Sequence, residues 1–146
     1  MKRIILLLLF PHHIICAELS NMHQVKIPEL STNDKKIIAR ITYYSKYESG
    51  GDKIAGGTKA KEGITIAAHP DFKFGTKILI PALKGIIGNG IFTVQDRGSA
   101  VTKKVASYKT YYVFDVYVNI PKNTTQFHRF SKLEQAIGEY TTIEIL

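Results

Sequence analysis

From residue 37 onward the chain alternates short apolar runs with breaks marked by glycine and proline. Ile37-Ile38-Ala39-Arg40-Ile41-Thr42-Tyr43-Tyr44 is β-branched and aromatic, which predicts a strand. Ile64 to Ala68, Lys77 to Ile80 and Ile91 to Gln95 predict three more. Pro70 and Pro81 close two of these runs, because proline cannot donate to a ladder. Tyr111 to Val118 predicts a long strand, and Thr141 to Leu146 a last one. Ser131-Lys132-Leu133-Glu134 has capping-box spacing and Gly138 is a natural C-terminal cap, so a helix of about two turns is expected between them. Glycines at 85, 88 and 90, and the Ser49–Asp52 and Gly56–Thr58 stretches, read as turns and loops. Many short strands with glycine turns and one short helix argue an all-β fold, a small closed barrel.

The first residues follow another pattern. Lys2 and Arg3 precede the apolar run Ile4–Phe10, and Ala17 offers a small residue for cleavage. This is the layout of a secretory signal peptide. The run is too short for a membrane span, which needs ~20 residues. The expected organisation is a signal peptide over 1–17, an arm or linker over 18–36 and one domain over 37–146. The sole cysteine, Cys16, falls at the end of the leader, so the mature protein would carry no disulfide. A lipid anchor on Cys16 is the minority alternative, because His13-Ile14-Ile15 lacks the small residue expected before a lipidated cysteine.

Charge narrows the partners. Losing Lys2 and Arg3 takes the net charge from +8 to +6, which favours anionic partners such as wall polymers or lipid head groups, or else an inert basic surface. No nucleic-acid module is visible. Zinc spacing, a calcium loop, a phosphate-binding glycine loop and a nucleophile elbow are all missing from the sequence, so neither metal nor cofactor is expected.

Two aspartates stand out. Asp115 lies inside an apolar strand, where aspartate is depleted, and alternation puts it on one face with Val113 and Tyr117. Partial burial between Phe114 and Val116 would raise its pKa, as a general acid requires. The alternative is an edge-strand charge facing water or paired with Arg97. Asp96 follows an apolar strand and precedes Arg97-Gly98, which also fits an ordinary Asx turn. His69 precedes Pro70, and a lone histidine in that setting is more often structural than catalytic.

Taken together, Ile64-Thr65-Ile66-Ala67-Ala68-His69-Pro70, Phe74-Gly75-Thr76-Lys77, Asp96-Arg97-Gly98-Ser99-Ala100 and Phe114-Asp115-Val116-Tyr117 resemble the 3D domain, named for three aspartates. That resemblance implies a six-stranded double-psi β-barrel like those of lytic transglycosylases and wall-remodelling proteins. Asp96 and Asp115 match the second and third family aspartates. His69 stands where the first belongs, and Val101–Tyr112 is longer than the usual linking segment. His69 with Asp96 is also similar to rare lipoprotein A, a related barrel acting on peptidoglycan. That family has acidic residues upstream of the histidine; here only Glu62 is acidic nearby, slightly out of register. Expansins share the barrel and loosen glycans without cleavage, so the fold alone does not decide activity.

The resemblance implies a peptidoglycan-active protein. Asp115 would be general acid and then base, and Asp96 its catalytic partner. His69, Tyr43, Tyr44, Tyr117 and Arg97 would bind substrate, with the tyrosines stacking on sugar faces. The alternative is a non-catalytic glycan-binding or wall-loosening module on the same barrel; a weaker one is a basic surface protein using the barrel as scaffold. The partner implied is peptidoglycan or another wall glycan, without nucleic acid or a transmembrane span, in an exported, monomeric protein of the cell envelope. N-terminal sequencing of the exported protein is expected to show processing near Ala17; an intact Met1 on a cytosolic protein would remove the export reading.

Overall fold

A computed structural model describes residues 35–48, 51, 53–99, 101, 103–106 and 109–146. The expected leader, Cys16 and the arm up to residue 34 lie outside the described residues. The elements are β1 (Lys36–Tyr44), β2 (Thr65–Ala67), β3 (Lys77–Leu79), β4 (Ile91–Asp96), β5 (Lys103–Ala106), β6 (Lys109–Tyr117), α1 (Gln126–Ile137) and β7 (Tyr140–Ile145), with a 3₁₀ turn at Pro81–Leu83.

Six of these strands close a barrel in the order β1-β7-β3-β4-β2-β6, and β6 returns to β1. The sheet is mixed: β1 with β6 and β2 with β4 run parallel, and the other neighbours antiparallel. This is the all-β closed barrel that the strand pattern argues, with the six strands that the resemblance implies. Closure leaves no free edge among the six. β5 stands outside the ring and pairs antiparallel with the first half of β6. Within the long segment before Tyr112, expected only as an insertion, residues 103–106 and 109–112 thus form an antiparallel pair.

Alternation explains the core. Ala39, Ile41 and Tyr43 of β1, Phe92 and Val94 of β4, Tyr112, Phe114 and Val116 of β6 and Ile143 of β7 point inward, all buried. Gly90 shows why glycine marks a turn here: its φ is +78°, and a Cβ would lie 2.9 Å from the Ile80 carbonyl oxygen. A side chain there would meet both strain and a backbone clash.

The helix differs from expectation. It has 12 residues, its N-cap is Thr125, and the Thr125 hydroxyl accepts the His128 N–H. Ser131 lies inside it, so the capping-box reading at Ser131 is corrected; the Gly138 C-cap is found. The reason is tertiary. Leu133 is buried, and Phe130 and Ile137 pack on the barrel core, which extends the helix a turn and more upstream of the local start signal. Glu62 ties the helix down, accepting from Arg129 Nη2 at 2.8 Å and from the Asn119 N–H at 2.7 Å. No helix among the described residues is long and apolar enough to cross a membrane.

Thr125→Ala is expected to cost about 1 kcal/mol, the usual loss for an N-cap hydroxyl, whereas Ser131→Ala should be nearly neutral. Denaturant unfolding of both variants checks this; equal losses would return the cap to Ser131.

Candidate functional site

The residues opposite the core faces of β1 and β6 form one wall. The parallel register sets Thr42 beside Asp115 and Tyr44 beside Tyr117. On the far side of β6, Asp115 pairs with Ala67 of β2, and Ala67 pairs in turn with Asp96 of β4. Ala67 therefore lies between the two aspartates, which puts their Cα atoms roughly 10 Å apart across two strand spacings. Its methyl group leaves the space between them open.

A register slip makes this arrangement. Thr65 faces Thr93 and Ile66 faces Val94, but Ala67 faces Asp96, skipping Gln95. Strict alternation from Phe92 and Val94 would carry Asp96 into the barrel. The bulge turns it toward the wall that holds Tyr44. β-bulges commonly re-aim side chains in this way next to functional sites.

An open cleft of about 550 Å³ lies over this wall, lined among others by Thr42, Tyr44, Glu48, Lys53, Asp96 and Asp115. Asp96 is 7% exposed and fully engaged. Its Oδ2 accepts the Tyr44 hydroxyl at 2.8 Å; its Oδ1 accepts the Ala55 N–H at 2.9 Å and the Arg97 N–H at 2.8 Å. Burial, then the bond to Asp96 and its charge, push the Tyr44 phenol far above its ordinary range, so it stays a donor. The Ala55 bond fastens the 53–59 loop to the cleft rim. Beside it the Gly56 N–H donates to the Gln95 carbonyl at 2.9 Å, an approach so close that a Cβ on Gly56 would lie 2.5 Å from that oxygen.

Asp115 is less engaged. Its Oδ1 accepts the Thr42 hydroxyl at 2.9 Å. Its pKa is pushed up to about 6, first by burial and then by the charges of Glu48 and Asp96, against the Thr42 bond, which holds it down. The burial does not come from Phe114 and Val116, as the sequence suggested, since both point into the core. On the carboxyl's own side of the sheet, Tyr44, Ala67, Val101 and Tyr117 cluster.

The other expected residues are placed differently. Tyr43 borders the cleft, but its ring is buried in the core and packs 6.1 Å from Phe130, so it offers no face to a sugar. Tyr117 is 3% exposed and meets Tyr44 edge-on at 5.3 Å, backing the cleft without opening onto it. Arg97 lines one end, but its guanidinium donates to the carbonyls of Ala68, Phe72 and Asp96 and lies 4.1 Å from the Phe74 ring centre. It pins the 68–74 loop rather than pairing with Asp115.

His69 does not join the aspartates. Its Nδ1 lies 3.1 Å from Asp71 Oδ1, its ring is 5.6 Å from Tyr112, and the Tyr112 hydroxyl donates to Asp71 at 2.5 Å. Of His69, Asp96 and Asp115, the cleft thus brings together only the two aspartates. The strand β2 ends at Ala67, so alternation no longer governs where His69 points. Glu48 and Lys53 were missed. Both sit in loops, where sequence pattern says nothing about direction; an acidic residue four positions past a strand end is the only hint of Glu48. Among the described residues no group of three or more His, Cys, Asp or Glu side chains is arranged to hold a metal ion.

What the fold and site define is a closed mixed barrel carrying a two-aspartate cleft on its outer wall. No family model matches the chain, and no curated protein is significantly similar to it.

The folded protein keeps the Asp115 proton up to about pH 6, whereas the unfolded chain releases it near 3.8. Between these values the folded state holds more protons, so this group's contribution is full below the unfolded pKa and is lost as pH rises through the folded one. Asp115→Asn, with no charge to desolvate, is expected to be more stable than the parent at pH 7.5 by about 1–3 kcal/mol and to lose that advantage near pH 4. Thermal melts at both pH values check it; a pH-independent difference would remove the raised pKa.

Proposed function

We propose that this is an exported peptidoglycan-active protein that cleaves glycan strands in the manner of a lytic transglycosylase, on a barrel of the double-psi type. The observation that carries the reading is Asp115, a partly buried carboxyl with a pKa of about 6, lining an open cleft of about 550 Å³. A general acid works best when its pKa lies near the working pH. Protonated Asp115 gives its proton to the glycosidic oxygen. The bond from that oxygen to the anomeric carbon breaks, its electron pair staying on the oxygen. The Asp115 carboxylate then takes the proton of the muramoyl 6-hydroxyl as that oxygen bonds to the anomeric carbon, which restores the acid. One proton-carrying carboxyl suffices, because the nucleophile belongs to the substrate; ordinary glycosidases need two.

Asp96 fits a different part. Held by Tyr44, Ala55 and Arg97, it has a fixed position and supplies negative charge toward a developing oxocarbenium ion. Tyr44, a neutral phenol whose hydroxyl donates to Asp96, lines the same cleft. The basic net charge suits an anionic wall. A second reading, a glycan-binding or wall-loosening module, is favoured by one observation: His69 is occupied with Asp71 and Tyr112 outside the cleft, so the expected third group is lacking there.

Incubation with purified sacculi separates the two. The wild type is expected to release anhydro-muropeptides, with a rate that falls as pH rises past about 6, because the acid must be protonated. Asp115→Asn should lose ~10²–10⁴-fold in rate while still binding glycan. Asp96→Asn should slow the reaction and move the pH limb downward. Wild-type turnover by a pure Asp115→Asn preparation removes Asp115 from the mechanism; binding without release by the wild type leaves the module.

A further inference from the structure

The three tyrosines expected to stack on sugars are largely withdrawn into packing, yet the wall that bears Asp115 continues to another aromatic pair. On β6, residues 111, 113, 115 and 117 share the side away from the core, because Tyr112, Phe114 and Val116 point inward. On β7, Tyr140 and Thr142 do the same around buried Ile143. Arg40 of β1 pairs with Val113 on one side and with Tyr140 on the other. The Tyr111 and Tyr140 rings reach toward each other across β1, 4.9 Å apart and tilted by 56°. Tyr140 is 37% exposed and neighbouring Ile38 49%.

We propose that Tyr111 and Tyr140 form a distal saccharide subsite, taking sugar residues of the same glycan strand whose scissile bond lies at Asp115. This rests on the reading of the cleft as a glycan site and names how far the strand extends. The geometry supports it in three ways. The pair and the cleft lie on one wall, four residues apart along β6, or roughly 13 Å at strand rise. That exceeds one sugar ring, so only an oligosaccharide bridges the two. Tilted, half-exposed aromatic rings present negative π faces to the weakly positive C–H faces of pyranoses. Beside them the Arg40–Glu139 ion pair, at 2.7 Å, puts hydrogen-bonding groups at the surface between pair and cleft, suited to sugar hydroxyls. A protein partner is a poorer fit, since a patch of Ile38, Tyr111 and Tyr140 is far smaller than the ~20–30 residues a side of a stable interface.

The test is binding, not turnover. Glycan strands freed of peptide and fractionated by length are titrated calorimetrically into the full chain carrying Asp115→Asn, alone and with Tyr140→Ala, Tyr140→Phe or Tyr111→Ala. Tyr140→Ala should weaken long strands about 2–10-fold and leave the disaccharide unchanged, and Tyr140→Phe, which keeps the ring, should bind as the parent does. Tyr111→Ala should match Tyr140→Ala; should it fail to fold, exposed Tyr140 alone decides. Equal loss for short and long strands, or no loss, overturns the subsite while leaving glycan binding at the cleft intact. A parent that binds no strand of any length overturns both readings. A concentration-dependent dimer abolished by Tyr140→Ala assigns the pair to self-association and overturns the subsite.

Discussion

The slip in register between β2 and β4 is the constraint on which the cleft depends. Omitting Gln95 from the pairing lets Asp96 face Ala67 from one side while Asp115 faces it from the other. Two carboxyl-bearing strands are thereby held at a fixed separation by a third strand that contributes only a methyl group. The bulged Gln95 is stabilised in its place. Its side chain accepts the Thr65 hydroxyl at 2.8 Å, and its carbonyl accepts the Gly56 N–H. The same bulge thus orients Asp96 and seats the loop that forms the cleft rim.

The two aspartates, chemically alike, are made different by their surroundings. Asp96 is buried but surrounded by donors, including two backbone N–H groups, which fix its position. Asp115 is buried with one hydroxyl donor and faces the charges of Glu48 and Asp96, which favour the neutral form. A rigidly held carboxyl group beside one that holds its proton to about pH 6 is a division of labour suited to acid chemistry. The charged form of Asp115 is also a cost to the fold near neutral pH, a strain of the sort that functional sites carry.

The aromatic residues divide in a similar way. Along Tyr43-Tyr44 of β1, successive rings go to opposite sides: Tyr43 to the core against Phe130, and Tyr44 to Asp96. Tyr112 enters the core and Tyr111 the outer wall. Composition alone makes all four equivalent; the pleat assigns each its role.

The sequence by itself determined the six barrel strands within a residue or two at most ends, because their β-branched, apolar runs and glycine or proline breaks are local signals. It also pointed to Asp115, since an aspartate inside such a run is conspicuous. Tertiary structure alone decided the rest. The helix start moved to Thr125 because packing of Phe130, Leu133 and Ile137 outweighed a capping-box signal. His69 went to Asp71 and Arg97 to three carbonyls because their neighbours come from loops whose paths no periodicity encodes. Asp96 joined Asp115 only through a bulge that breaks the period of two on which strand reading relies, and Glu48 entered the cleft from a turn. A strand's faces are written in its own residues; which strands and loops meet is decided by closure of the barrel, and the site lies where they meet.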